Sequence, residues 1–244
     1  MMKEMKKISV YVFLLAIGML IQSCSEDSDP NLAQVSLDMK AETTESTING
    51  RQINSELVFN EVLVGVTEVE FETFEEDELE DIEGEVEDED VEFEGQFVAD
   101  LINGTSTPDF GMASLSPGTY EELEIEMEPF LDGGFSIFIS FEFVNNNDEV
   151  ITAEYGNSDE LEFEIENENG FIIDAGTTNQ MLVLLNLDAL FAGVDLNSAE
   201  SDNDGVVRIN NTSNSDLAAT ISSNLDQILE AGEDDDDDGD IDDD

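Results

Sequence analysis

Apolar residues and glutamates alternate strictly at several places in this sequence. The alternation covers residues 68–72, 91–94, 122–127 and 160–165. In a strand, successive side chains point to opposite faces, so this pattern places one face on a core and the other in water. Antiparallel sheets have this division of faces, whereas a helix would need apolar residues every three or four positions. The alternation therefore predicts an antiparallel β protein.

Turn signals separate these segments and divide the chain into short strands. They include Asn49-Gly50, Pro117-Gly118, Gly133-Gly134 and Asn169-Gly170. A more continuous apolar run at 135–144 suits a strand covered on both faces, and the run at 181–187 suits either such a strand or a helix. Short strands between frequent turns predict a mainly β fold, an antiparallel β-sandwich of the Ig-like or transthyretin-like kind, over residues 34–210.

Two further regions follow from spacing and charge. Apolar residues recur at helical spacing between Leu217 and Leu229, which predicts one C-terminal helix within residues 211–231. Residues 75–94 contain 14 acids among 20 positions, and 10 of the last 12 residues are acids. Dense like charge repels itself, so we expect a disordered acidic loop at 75–94 and a disordered acidic tail at 232–244.

Charge and composition exclude most functional classes. The 244 residues contain 63 Asp and Glu against 6 Lys and Arg, which gives a formal net charge of -57. A nucleic-acid partner needs a basic surface, so none is expected. The chain has no His and one Cys, which excludes Ser-His and Cys-His catalysis, imidazole metal sites and an intrachain disulfide.

The N-terminus has the organisation of an export signal. Lys3, Lys6 and Lys7 precede an apolar run of 14 residues, Ile8–Ile21, which is shorter than the roughly 20 residues of a membrane span. The run ends in Ile21-Gln22-Ser23-Cys24. This segment resembles the lipobox of a bacterial lipoprotein precursor.

That resemblance implies cleavage between Ser23 and Cys24 and attachment of acyl chains such as palmitate to Cys24. Residues 1–23 are then a lipoprotein signal peptide and residues 24–33 an acidic tether. More than one acyl chain on Cys24 would anchor the protein stably to a membrane.

The residues directly after the cysteine resemble the acidic signal that sends some lipoproteins to the exterior face of the outer membrane. These residues are Ser25, Glu26, Asp27, Ser28 and Asp29. The same residues are also what a merely solvated acidic tether would contain. The expected location is the outer membrane, with the protein facing the cell exterior.

A second resemblance concerns the predicted sandwich. Leu115-Ser116-Pro117-Gly118-Thr119-Tyr120 leads into the alternating segment 123–127, with Ala99-Asp100-Leu101 ahead of it. This arrangement is similar to uncharacterised β-sandwich domains of bacterial lipoproteins, over roughly residues 34–210. It implies a fold and brings no catalytic residues with it.

Two short acidic patterns suggest calcium. Asp234, Asp236, Asp238 and Asp240 surround Gly239 in a partial DxDxDG loop, and Asp202 and Asp204 precede Gly205 in a second partial loop. Alternating oxygen ligands and a glycine at the sharp turn are what such a Ca²⁺ loop requires. A disordered tail and an ordinary turn are the alternatives.

These observations favour a non-catalytic cell-surface lipoprotein with a structural, adhesive or interaction role, highly acidic and weakly cation-attracting. The protein would contact the membrane through the lipid on Cys24. The alternative is a calcium-dependent ligand-binding module for a protein or a glycan. A carboxylate-pair glycosidase is a third hypothesis, and it would need two carboxyls held about 5–10 Å apart in one cleft.

Overall fold

The alternating segments at 68–72, 122–127 and 161–165 lie in strands, whereas Phe93 and Glu94, the described part of the segment 91–94, lie outside the strands. The computed structural model describes residues 32–43, 57–73, 93–234 and 239–242. The strands in these residues are Ala33–Glu42 (β1), Leu57–Thr73 (β2), Phe97–Asp100 (β3), Thr105–Thr107 (β4), Met112–Leu115 (β5), Gly118–Met127 (β6), Ile137–Val144 (β7), Val150–Asn157 (β8), Leu161–Ile173 (β9), Thr178–Asn186 (β10), Val207–Ile209 (β11) and Leu229–Glu233 (β12). The prediction of a mainly β fold is confirmed.

The strands form two sheets. The smaller sheet has the order β12-β10-β1-β5, and the larger has the order β11-β8-β7-β2-β3-β4. The long strand β2 pairs with β7 over its first half and with β6 over its second, and β9 pairs with β6. One hydrophobic cluster contains inward-facing side chains from both sheets, as expected of a sandwich.

The prediction that all strands are antiparallel is wrong for two pairs. Strand β1 runs parallel to β10, and β8 runs parallel to β11. More than 130 residues separate β1 from β10 in the chain, and strands β2 to β9 lie between them in sequence. Alternation reports which face of a strand is buried and carries no information on the direction of its neighbours.

The core is rich in packed aromatic rings. Phe191 lies 4.9 Å from Phe141 and 5.6 Å from Phe59, measured between ring centroids. Tyr155 is buried beside the same ring, at 6.4 Å. Each such side chain removes 150–250 Å² of largely apolar surface from water, so this cluster is a main source of stability on the inner face of the larger sheet.

The apolar run at 181–187 is a strand that turns into a short helix. Strand β10 is buried along Met181–Leu185 and ends at Asn186, and the helix Leu187–Leu190 (α1) follows at once. The Asn186 side chain accepts a hydrogen bond from the Ala189 amide at 2.8 Å and so caps the helix. This geometry settles the two alternatives that the sequence left open.

The predicted C-terminal helix is shorter than residues 211–231. The helix covers Ser215–Ser222 (α2), a 3-10 turn follows at Leu225–Gln227, and β12 begins at Leu229. Leu225 and Ile228 are buried as their spacing predicted. The Asn224 side chain donates to the Leu190 and Ala192 carbonyls, and β12 then pairs with β10. Pairing with a sheet edge replaces further helical hydrogen bonds, which the spacing of apolar residues cannot show.

The described residues belong to one compact unit, Asn31–Asp244. The predicted signal peptide and most of the tether lie outside the described residues, and Ala33, the last tether position, is already the buried start of β1. Residues 75–92 of the predicted acidic loop also lie outside the described residues. Phe93 is buried and exchanges backbone hydrogen bonds with Val69, so the loop ends before it. No helix in the described ranges is long and apolar enough to cross a membrane.

Candidate functional site: a ladder of glutamates

Nine glutamates share one face of three adjacent strands in the larger sheet. Strand β6 lies between β2 and β9, and the pairing register aligns their glutamates in rows. The rows across the strands are Glu72–Glu122–Glu166, Glu70–Glu124–Glu164 and Glu68–Glu126–Glu162. We call these nine residues the glutamate ladder.

The apolar residues between these glutamates fix the register. Val69 pairs with Ile125, which pairs with Phe163, and all three are buried. A slip by one residue would expose this row and bury a row of carboxylates. Burial of the inner face therefore holds the outer face in a like-charge arrangement, although like charges directly opposite each other are destabilising.

The carboxylates of the ladder lie close enough to share a cation. Glu70, Glu72 and Glu124 each offer an oxygen within 4.8 Å of the other two. Glu124, Glu126 and Glu162 form a second group that meets the same limit. Ca²⁺ binds oxygens at 2.3–2.6 Å, so two oxygens on one ion are separated by at most about 5 Å. These acidic clusters could therefore hold a metal ion, with Glu124 common to both.

The electrostatics of the central strand agree with this crowding. Partial burial and the neighbouring carboxylates of Glu164 and Glu72 raise the pKa of Glu122. Partial burial and the carboxylates of Glu162 and Glu72 likewise raise the pKa of Glu124. The described residues contain two basic side chains, Lys40 and Arg208, and neither belongs to β2, β6 or β9. A bound cation would relieve the repulsion that these pKa values report.

The predicted calcium loop at the C-terminus is folded where the structure describes it. Asp234 is only 4% exposed, and its Oδ2 accepts a hydrogen bond from the Gly239 amide at 3.1 Å. Gly239 has φ +87°, the left-handed region that favours glycine. Ile241 packs on Gly232, and the Asp242 amide donates to the Glu233 carbonyl at 2.9 Å.

The tail is therefore ordered at residues 232–234 and 239–242, in contrast to the predicted disorder over 232–244. Asp240 is an exposed residue of this turn, and its charge contributes to the raised pKa of Glu42. Asp236 and Asp238 lie outside the described residues.

The second predicted loop is organised by an arginine. Arg208 Nη1 lies 2.8 Å from Asp202, and Nη2 lies 2.9 Å from Asp204. Its Nε donates to Glu154 at 3.1 Å. The guanidinium lowers the pKa of Asp204, and the carboxylates raise the pKa of Arg208. Asp202 and Asp204, which the sequence suggested as Ca²⁺ ligands, therefore bind the Arg208 guanidinium, and a metal ion would have to displace that guanidinium.

The lipid-attachment prediction involves Cys24, Ser23 and the acidic residues 25–29. All of them lie outside the described residues. The assignment of Cys24 as a lipid carrier stays a prediction from the sequence.

Comparison with known proteins adds little. No family model and no curated protein matches the chain. Among solved structures, MbnP from Methylosinus trichosporium is distantly similar, with 12% identity, a TM-score of 0.36, and coverage of 71% of this chain and 82% of that one. A likeness at this level carries no information on function.

The sequence contains the signal for the ladder, but alternation alone indicates only a solvent-facing side of each strand. The same Glu-apolar alternation occurs in the segments that become β2, β6 and β9. What the sequence lacked was the order of these strands. Only their adjacency converts three separate acidic faces into one array.

Proposed function

We propose that this chain is a lipid-anchored, non-catalytic protein of the bacterial outer membrane whose glutamate ladder collects divalent cations. The observation that carries the proposal is the registered array of nine carboxylates on β2, β6 and β9. In this role the protein presents a strongly negative surface that repels its copies at low cation concentration. Calcium reduces that repulsion and allows neighbouring acidic surfaces to be bridged.

The proposed anchor rests on the sequence. Lys3, Lys6 and Lys7, the apolar run and Cys24 resemble a lipoprotein leader, and the residues after Cys24 resemble a surface-export signal. The lipid would be the contact with the membrane, and the acidic domain would face the exterior. A structural, adhesive or interaction role fits such a position.

The geometry of the ladder favours ion binding over catalysis. Its central residues are half-buried, and the outer residues Glu72, Glu162, Glu164 and Glu166 are exposed. Hydrolysis by a carboxylate pair needs one protonated carboxyl as the acid and one ionised carboxylate as the base or nucleophile, held on either side of the bond that is cleaved. The ladder instead repeats similar carboxylates on an open sheet face, which concentrates negative charge but does not distinguish an acid from a base.

The ladder can be tested by unfolding the purified chain in Ca²⁺, in Mg²⁺ and in chelator at equal ionic strength. We expect Ca²⁺ to raise the unfolding midpoint more than Mg²⁺, because Ca²⁺ accepts irregular sets of oxygens. The triple variant Glu70→Gln, Glu124→Gln, Glu162→Gln should lose most of the Ca²⁺-dependent rise.

The matched control removes three carboxylates outside the ladder. The variant Glu61→Gln, Glu128→Gln, Glu200→Gln has the same net charge, and all three positions are exposed. It should keep the Ca²⁺ response of the wild type. Equal loss in both triple variants would show that net charge alone attracts cations, and the ladder proposal would be rejected.

The folded C-terminal turn favours a second candidate function, a calcium-dependent ligand- or glycan-binding module. Its supporting observation is the closure between buried Asp234 and the Gly239 amide, which joins the first and sixth positions of the predicted DxDxDG loop. If this loop is the site, Asp236→Asn with Asp238→Asn will abolish the Ca²⁺ response and the ladder triple variant will keep it. The reverse result would reject the second candidate.

The anchor has its own test. Replacement Cys24→Ala removes the predicted acylation site, and membrane partition of the expressed protein is then compared with that of Ser25→Ala. We expect the Cys24 variant to leave the membrane fraction and the Ser25 variant to remain in it. Retention of the Cys24 variant in membranes would refute the lipoprotein assignment and leave the cation experiments unaffected.

A further inference from the structure

Strand β9 has an open edge over its first half. Residues 161–166 pair with β6 on one side, and no strand among the described residues pairs with them on the other. Only the far end of β9 is joined to the smaller sheet, where the Ile172 amide donates to the Glu233 carboxylate at 3.1 Å. An open edge carries backbone amides and carbonyls that can pair with a strand of another molecule.

The pairing pattern shows which residues present these groups. Val69 in β2 exchanges both backbone hydrogen bonds with Phe93, so its amide and carbonyl point away from β6. Because this direction alternates along each strand, Leu123 and Ile125 are the residues of β6 that bond to β9. The residues of β9 whose amides and carbonyls point outward from the open edge are then Glu162, Glu164 and Glu166.

The two faces of this edge differ in chemistry. The side chains of the same three glutamates belong to the ladder and are exposed. On the opposite face, Leu161 and Ile165 pack on the core but remain half-buried, on either side of buried Phe163. A strand added at this edge would cover these apolar side chains further and place its own alternate residues beside the glutamates.

The charge of the ladder keeps this edge from pairing. Charged side chains at an edge are one means by which proteins prevent association between sheets. Two strands in a hydrogen-bonded antiparallel pair bring opposite residues to a Cα separation of about 5.5 Å, so a partner with carboxylates would be repelled. Divalent cations held by the ladder would remove that repulsion and would leave the backbone groups available.

A second copy of this chain matches the edge in one register. Two identical edges pair about a two-fold axis, and Glu164 then lies opposite Glu164 of the second copy. In this register Glu162 lies opposite Glu166 of the second copy, and Phe163 lies opposite Ile165 of the second copy. Each row of three glutamates therefore continues into a row of three in the other molecule, and the apolar face is continuous as well.

The cations favour this partner over other strands. A Ca²⁺ ion at the edge needs oxygens from both strands, because it takes six to eight ligands. A strand supplies them when it carries carboxylates at every second position on the same face, as β9 does. A strand with basic side chains would instead pair without any cation.

We propose that divalent cations on the glutamate ladder cause two copies of this protein to associate edge to edge through residues 161–166 of β9. This inference rests on the proposed function, because the cations must first neutralise the ladder. It adds the partner, which is the protein itself, and a control: the copies are separate at low Ca²⁺ and paired at high Ca²⁺.

Cross-linking tests the register. The full chain with Cys24→Ala has no other cysteine, so one cysteine introduced into β9 reports its distance from the second copy. Glu164→Cys places the two Cα atoms about 5.5 Å apart, within the 4.4–6.8 Å that disulfides span. The matched control Glu166→Cys removes the same charge from the same strand, but its two Cα atoms lie about 14 Å apart.

The oxidant diamide is added in millimolar Ca²⁺ or in chelator. In Ca²⁺ we expect Glu164→Cys to form about tenfold more disulfide dimer than Glu166→Cys, and in chelator we expect little from either. A mixture of Glu162→Cys and Glu166→Cys chains should cross-link in Ca²⁺, which would show that the cysteine at position 166 is reactive.

A second pair of variants tests the backbone contact by sedimentation. Glu164→Pro removes an amide that points outward, which an edge strand tolerates, and Glu164→Gln removes the same carboxylate but keeps the amide. In Ca²⁺ we expect the glutamine variant to dimerise at least as strongly as the wild type, and the proline variant about tenfold more weakly. If the proline variant does not fold, the cross-linking comparison decides.

The unfolding midpoint of the same samples separates this inference from the proposed function. A Ca²⁺-dependent rise in the midpoint without dimers would reject the inference and leave the ladder function intact. Equal cross-linking of Glu164→Cys and Glu166→Cys would indicate unspecific bridging, and equal cross-linking in Ca²⁺ and in chelator would show that cations do not control the contact. Either result overturns the inference. Absence of both the rise and the dimer would reject the proposed function as well.

Discussion

Removing one carboxylate from the centre of the glutamate ladder should stabilise this protein. Glu124 lies between Glu70 on β2 and Glu164 on β9, and its oxygens come within 4.8 Å of those of four glutamates: Glu70, Glu72, Glu126 and Glu162. Replacement by glutamine keeps the shape of the side chain and the buried face beneath it. The change in stability then reports mainly the lost repulsion.

The size of the effect follows from the distances. Two unit charges 4.8 Å apart repel by about 0.9 kcal/mol in water, and screening at 0.15 M salt reduces this to about 0.5 kcal/mol. Four neighbours together give about 2 kcal/mol. Rotation of the side chains and residual repulsion in the unfolded chain lower the net gain, so we expect Glu124→Gln to raise the free energy of unfolding by about 1–2 kcal/mol.

Urea unfolding at pH 7 with chelator present measures this gain. With a slope of about 2 kcal/mol per molar urea, the midpoint should rise by about 0.5–1 M. The control Glu200→Gln removes an exposed carboxylate outside the ladder and should stay within about 0.5 kcal/mol of the wild type. In 1 M salt the advantage of the Glu124 variant should shrink, because the screening length falls to about 3 Å.

A Glu124 variant that is no more stable than the Glu200 control would refute this reasoning. It would mean that the ladder carboxylates do not repel one another at neutral pH. The proposed benefit of a bound cation would then lose its physical basis.

Three further predictions concern pH, the arginine cluster and a close backbone contact. The pKa values of Glu122 and Glu124 are raised from 4.5 in the folded protein, so at a pH above 4.5 the folded state binds more protons than the unfolded state. The free energy of unfolding should therefore rise as the pH falls from 7 toward 5. A lower melting temperature at pH 5 than at pH 7 would contradict this. Arg208→Gln leaves the carboxylates of Glu154, Asp202 and Asp204 without their cation, so the melting temperature should fall, most strongly at low salt. Arg208→Lys should recover part of the loss. Equal melting temperatures for the wild type and both variants would show that these ion pairs do not stabilise the protein. Gly156→Ala places a methyl carbon 2.5 Å from the Phe135 ring and should lower the free energy of unfolding in urea by about 1–3 kcal/mol. The control is Ser140→Ala, because Gly134 has φ +76° and its replacement by alanine would add backbone strain. A Gly156 variant as stable as the wild type would show that the Phe135 ring moves aside without cost.

Much of the candidate site was present in the sequence as separate pieces. The alternation at 68–72, 122–127 and 160–165 correctly predicted strands with an acidic outer face. It could not predict that these strands are neighbours, because the pairing of β6 with both β2 and β9 involves residues 34–61 positions apart. The same limit explains Arg208: it pairs with Glu154, which is 54 residues away on an adjacent strand.

The sequence by itself determined that the segments 68–72, 122–127 and 161–165 are strands and which of their faces is buried, because side-chain alternation is a local property of the chain. It also determined the overall charge and thereby the classes of partner that this protein repels. The tertiary structure decided the order and direction of the strands, the conversion of the last predicted helical turns into β12, and the use of Asp202 and Asp204 as partners of Arg208. Each of these depends on contacts between distant residues, in which the burial of apolar side chains in one shared core sets the register that all outward-facing groups must follow.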